Sequence, residues 1–187
     1  MSKYFTFFPK VTHTNKVAQN ITRRAKVTET LLGDPYVYLP YVVKEGERPE
    51  DVAYYYYGTM DKVWMVYLAN QIIDPYTDWP MNYDNFNNYI IAKYADQANA
   101  TGYDVIAWTQ DNTANNNIVH YKNVEDPTIK ISPDTWTYDT SLIGAEWEAV
   151  RYYDYEVELN ENKRNIWLIN EAYAATFESE LRRILIE

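Results

Sequence analysis

The sequence predicts an α+β protein: a strand, helix, helix block preceded by an extended N-terminal arm and followed by a C-terminal mixed α/β region. Two observations carry this reading. Apolar residues recur at helical spacing in five places, and short alternating or apolar runs bounded by turn residues stand between them. The length sets the scale, since 187 residues suffice for one ordinary domain or two small ones and bury roughly 70% of the unfolded surface. No internal repeat is visible.

Residues 1–38 read as the arm. Lys3, Lys10, Lys16, Arg23, Arg24 and Lys26 stand there against Glu29 and Asp34, a balance of +4 that leaves −14 for the remainder. After Phe8 the text THTNKVAQNITRRAKVTET lacks helical periodicity and suits strand or loop. The arm is expected to be an assembly element whose aromatic tip (Tyr4, Phe5, Phe7, Phe8) anchors in a neighbour's pocket. The competing expectation is that it lies on its own acidic body, the tip adding an edge strand to the chain's β insertion.

Residues 39–82 form the most legible block. LPYVVKEG alternates like a short strand ending at Gly46. Pro49 sits where a first-turn proline belongs, Val52, Ala53 and Tyr56 share one helix face, and Gly58 stops the helix. Thr59 is a candidate N-cap for a second helix in which Met60, Val63, Trp64, Tyr67 and Leu68 keep helical spacing. Met65, Val66 and Ala69 make this helix apolar nearly all round, so it needs cover from the chain or a partner.

Residues 83–187 form the third part. After IIDPYTDWPMN, Asn82 caps a predicted helix over 83–94 with Phe86, Tyr89, Ile90 and Tyr94 on one stripe. Residues 96–145 turn to Asn-rich, turn-rich text, read as a small β insertion with strands at 118–124 and at 128–138, the second broken by Pro133. A helix is predicted over 149–163, a strand over 166–169, and a final helix capped by Asn170 with Tyr173, Phe177, Leu181, Ile184 and Leu185 as its stripe. Glu178 and Arg182 stand one turn apart, an ion pair contributing about 0.3–0.5 kcal/mol.

Composition narrows the function. With no cysteine there is no disulfide, thiolate nucleophile or zinc–cysteine site, and two isolated histidines, His13 and His120, leave little for a metal cage or a triad. The net charge of −10 argues against a nucleic-acid partner. No apolar run approaches the roughly 20 residues of a membrane span, and the start lacks the apolar core of a cleaved signal, so a soluble protein not exported that way is expected. Twenty Tyr, six Trp and five Phe exceed what a core of this size needs, and the surplus suits protein interfaces or sugar stacking.

Candidate chemistry is sparse. Asp74, Asp78 and Asp84 imitate a glycosidase carboxylate pair, but Asp74 and Asp78 lie in a turn, where Asp bonds its own backbone. Asp111, Thr113 and Asn115 imitate a calcium loop without its glycine, and Lys122 stands where a bidentate Glu is required. His120, in a strand candidate, has no nucleophile or acid fixed near it and reads as an interface or surface histidine. No catalytic, metal or cofactor-binding residue is assigned, and no cofactor is expected.

The block YVVKEGERPEDVAYYYYGTMDKVWMVYLAN resembles a LysM module, the small βααβ unit whose usual members bind N-acetylglucosamine-containing glycans, through Tyr41, Val43, Gly46, Val52, Ala53, Tyr56, Gly58, Trp64 and Asn70. Glu47, Arg48 and Pro49 replace the small polar pair of the glycan binders, and IIDPYTDWP replaces the closing strand, so glycan binding is not expected. More widely, FFP near the start, GERPEDVAYYYYG, VWMVYLANQIIDPYTDWPM and YDYEVELNENKRNIWLI are similar to the small baseplate wedge proteins of T-even-like contractile-tailed phages, which embed a LysM-like domain. The resemblance implies a non-enzymatic virion component of the tail baseplate, made and assembled in the host cytoplasm. It also implies that the protein joins neighbouring wedges around the hub by contacts with other wedge subunits, including their core bundle. The alternatives are a peptidoglycan-binding module of a tail lysin or cell-wall enzyme, and a compact hydrolase using the acidic residues.

Overall fold

Helices and short strands alternate irregularly along the chain, and the computed structural model describes residues 3–22, 36–138 and 146–186. Expectations for residues 23–35, including Arg23, Arg24 and Lys26, and for 139–145 at the end of the insertion fall outside them. A 3-10 turn at Lys3–Phe7 leads into β1 (Lys10–His13) and β2 (Lys16–Gln19), and β3 (Tyr38–Val42) precedes α1 (Pro49–Tyr57), α2 (Val63–Ala69) and α3 (Pro75–Asp78). Then come α4 (Tyr83–Ala98), α5 (Tyr103–Gln110), β4 (Ile118–Asn123), β5 (Lys130–Ile131), α6 (Pro133–Tyr138), β6 (Trp147–Arg151), α7 (Tyr152–Asn162), β7 (Asn165–Ile169) and α8 (Glu171–Ile186). The class is α+β, as the sequence predicts.

The chain forms two compact units that do not follow its linear order: one comprises residues up to Pro80 together with those from Lys163 onward, and the other spans Met81–Asn162. In the first unit, β3 pairs antiparallel with β7, Tyr38 opposite Ile169 and Val42 opposite Asn165. The strand that closes the β3, α1, α2 block therefore arrives more than ninety residues after α2, once the second unit has been completed.

Local chemistry explains the helices of this block. Pro49 opens α1 with its φ already helical, and the Asp51 carboxylate accepts the Arg48 N–H at 3.1 Å, one of the donors a helix start leaves over. Gly58 ends it at φ 71°, a left-handed value that costs glycine nothing, with its N–H donating to the Tyr54 carbonyl. Thr59 caps a 3-10 turn, Met60–Lys62, that leads into α2. Trp64, Met65, Val66 and Ala69 are all buried, so the nearly all-round apolar α2 has the cover it needs. In α8 the buried stripe is Ala174, Leu181 and Leu185, whereas Tyr173 and Ile184 stay exposed.

The aromatic tip corrects one expectation. Phe7 and Phe8 are buried in the core of the first unit; Tyr4 stacks on Trp64 at 5.8 Å and Phe7 meets the same indole edge-on at 5.8 Å. Three aromatic rings packed against Trp64 find their burial on their own chain, so neither a neighbour's pocket nor an edge strand holds the tip here. The β1–β2 hairpin that follows is exposed along both strands.

The second unit departs from the sequence reading in three elements. The insertion contains a helix, α5, which packs Val105 against Phe86, Ile90 and Tyr94 of α4. Pro133 does not break a strand; with Ser132 Oγ accepting the Thr135 N–H it starts α6, whose Trp136 stacks on Tyr121 at 4.1 Å. Residues 149–151 belong to β6 rather than to a helix, because Val150 is buried and Glu148 and Ala149 pair with Lys122 and Tyr121 of β4. Tertiary pairing overrides a weak helical pattern there.

Trp64 holds the tip, α2 and the surrounding core together at 5% exposure. Trp64→Ala is expected to cost about 3–5 kcal/mol, read as a lowered urea midpoint at unchanged pH. An unchanged midpoint contradicts this packing.

Candidate interaction surface

The loops flanking the β3, α1, α2 block are closed by their own side chains. Glu47 accepts the Tyr41 hydroxyl proton at 2.8 Å through one oxygen and the Lys44 N–H at 2.9 Å through the other. The Trp79 indole N–H donates to the Glu47 carbonyl at 2.8 Å, and its ring is buried. Across the sheet, Asn70 binds like a short strand: Oδ1 accepts the Trp167 N–H at 2.7 Å, and Nδ2 donates to the carbonyls of Trp167 and Val66, both at 2.8 Å. Tyr57 Oη donates to the Ile169 carbonyl at 2.9 Å. These bonds occupy backbone groups of β7 that β3 does not reach.

Asp74, Asp78 and Asp111 are committed locally. Asp78 accepts the N–H groups of Ile73 and Asp74, which with Thr77 and nearby Lys163 hold its carboxyl below the usual range, and Asp74 accepts the Tyr76 N–H. Both behave as the turn formers their sequence context predicts. Asp84 lies in the first turn of α4, in the other unit. Asp111 accepts the backbone and hydroxyl donors of Thr113 and is shifted down by them. Among the described residues no group of three His, Asp or Glu could hold a metal ion. His120 is half-buried, edge-on to Tyr155, and shifted down by burial and by Lys130.

Two buried charges organise the second unit, and sequence reasoning missed both. Arg151, at the end of β6, donates to Asn112 Oδ1, Asn117 Oδ1 and the carbonyls of Asn112 and Ala114, so the Asn-rich loop is a fixed structure around a guanidinium. Glu156, buried in α7, accepts Lys93 and the Tyr94 hydroxyl, both at 2.7 Å. An Arg and a Glu within one polar predicted helix, 149–163, carry no local signal of burial. Their partners lie 34 or more residues away.

What stays open to solvent is aromatic and charged. In the first unit Tyr54, Tyr55, Tyr76, Val42 and Trp167 are exposed, and in the second Tyr83, Tyr103 and Tyr138. The second unit carries fourteen acidic against four basic residues, so the whole net charge of −10 resides in it and the first unit is neutral. Large aromatics with polar tips are the side-chain type enriched at protein interfaces.

The family model described as base plate wedge protein 53 matches residues 4–184. The chain belongs to that family. None of the curated proteins matches it. Membership makes this wedge protein a structural component of a phage baseplate, located in the virion tail and in contact with other baseplate subunits. The match runs through both units and through the arm, so the aromatic surfaces of each are surfaces of a baseplate component.

The tyrosines give the protein an alkaline limit. Burial, followed by the hydrogen bond to Glu47 and its charge, pushes Tyr41 up to about 12, and burial with the charge of Glu50 pushes Tyr67 to about 12. Burial and Glu156 also raise Tyr94; Lys93 is raised because its bonds to Glu156 and Tyr89 outweigh burial. A raised pKa keeps the proton in the folded state after the unfolded chain has released it near 10, so this stabilisation is complete below about pH 10 and is lost as pH rises toward 12. The urea midpoint is expected to fall across that window, and to fall less steeply for Tyr41→Phe. Equal slopes contradict the assignment to Tyr41.

Proposed function

We propose that this protein joins neighbouring wedges of a T-even-like contractile-tail baseplate around the hub, through contacts with other wedge subunits including their core bundle. The observation that supports this most is the set of exposed tyrosines and Trp167 on folded units in which Asp74, Asp78 and Asp111 are engaged in turns. Such side chains supply large contact area at low entropic cost, which suits many simultaneous protein contacts.

The β3, α1, α2, β7 arrangement supports a LysM-like reading of the first unit, with β7 as its delayed closing strand. It supports a protein-binding rather than a glycan-binding version, because Trp79 and Tyr41 hold the loop at Glu47. Regions 1–38, 39–82 and 83–187 then correspond to arm, module and C-terminal part in the linear sequence.

Purified wedge complexes mixed with this protein and followed by light scattering test the proposal. The mass is expected to rise from single wedges to multiples of them only when the protein is present. Wedges that remain single, together with saturable binding of a chitin pentamer, would sink it in favour of a glycan module.

A further inference from the structure

The N-terminal hook seats its rings between two elements of the first unit. Tyr4, Phe7 and Phe8 dock against Trp64 on one side and α8 on the other, where the Arg182 guanidinium lies 4.7 Å over the Phe7 ring. Arg182 is itself held by Glu178 at 3.0 Å. Phe7 and Phe8 are 4% and 5% exposed, comparable with Tyr57 and Trp64 of the core.

The hairpin that follows the hook commits little to the body. Every residue of β1 and β2 is exposed, and a lone two-stranded hairpin is marginally stable in water. Its turn places Thr14 and Asn15 at φ 45° and 60°, positions a β-branched residue rarely occupies. Twenty-eight residues separate Phe8 from Val37, where the chain rejoins the core. Fully extended, that length could reach about 90–100 Å.

We infer that the hook is an exchangeable connector: in assemblies that hold two copies of this chain side by side, the Tyr4, Phe7 and Phe8 plug of one copy occupies the Trp64 and α8 groove of the other. The occupant is a second copy because the groove already fits this segment and the hairpin next to it, β1 and β2, is exposed at every residue. The exchanged and unexchanged states bury the same rings against the same indole, so they differ only in which connector is closed. A tethered hook faces its own groove at an effective concentration of about millimolar. Dilute protein therefore keeps its own hook, and fixed neighbours compete for it on equal terms. The inference rests on the proposed joining of wedges only for the proximity of copies.

A decapeptide with the sequence of residues 1–10, MSKYFTFFPK, tests the groove in trans. Added at about 1 mM to the full-length Phe7→Ala/Phe8→Ala variant, it is expected to bind saturably and raise the melting temperature. The same peptide carrying both alanines should do neither, and the wild type should not respond. A folded variant that ignores the peptide, or that responds equally to the alanine peptide, overturns the inference. Should the variant not fold, wild type at about 1 mM is the second measurement: dimer that reverts to monomer on dilution is expected, and monomer alone at that concentration overturns the inference. Wedges joined equally well by wild type and by a folded double variant would overturn the exchange and leave the joining role standing.

Discussion

The first unit depends on one pairing, in which Asn165–Ile169 lies antiparallel to Tyr38–Val42. A two-stranded sheet is weak by itself, and here side chains complete it. Asn70 satisfies both backbone groups of Trp167, and Tyr57 satisfies the carbonyl of Ile169, so α1 and α2 are bonded to β7 as well as packed on it. Pro40, opposite Trp167, has no N–H and suits the outer strand. Because β7 also leads directly into α8, which backs Tyr38 through Phe177 and grips the hook through Arg182, the closing strand organises most of this core.

The second unit is stabilised differently. Its apolar cluster of Phe86, Ile90, Tyr94 and Val105 is small, and two buried charges add specificity. Arg151 draws the Asn-rich loop around itself, and Glu156 gathers Lys93 and two tyrosine hydroxyls between α4 and α7. A fully bonded buried charge is costly to leave half-paired, so such networks permit one arrangement of their loops rather than several. The excess negative charge of the chain also belongs to this unit.

Features decided by a few neighbouring residues were legible in the sequence. Pro49, Gly58, Asn82 and Asn170 act where their local chemistry places them, and Trp64 is core because its helical spacing demands it. Asp74 and Asp78 are turn formers for the same reason. Features decided at a distance were not. Nothing near NIWLI names Tyr38–Val42 as its partner, and Ala149–Arg151 forms a strand only because β4 is there to receive it. Pro133 is ambiguous in sequence because a proline that ends a strand and one that opens a helix look alike until Ser132 is placed as the cap. Asn70 was visible as part of a LysM-like pattern, but its role in holding β7 required the strand to be placed first.

The central claim is that one cooperative unit is closed by a strand from the far end of the chain. Native-state amide exchange read at Tyr41 and Val43 and at Ile166 and Leu168 tests it most directly. Shared closure predicts that these amides, more than 120 residues apart, exchange with the same opening free energy and respond together to denaturant. Rapid exchange of residues 165–169 while 38–43 stays protected would contradict it.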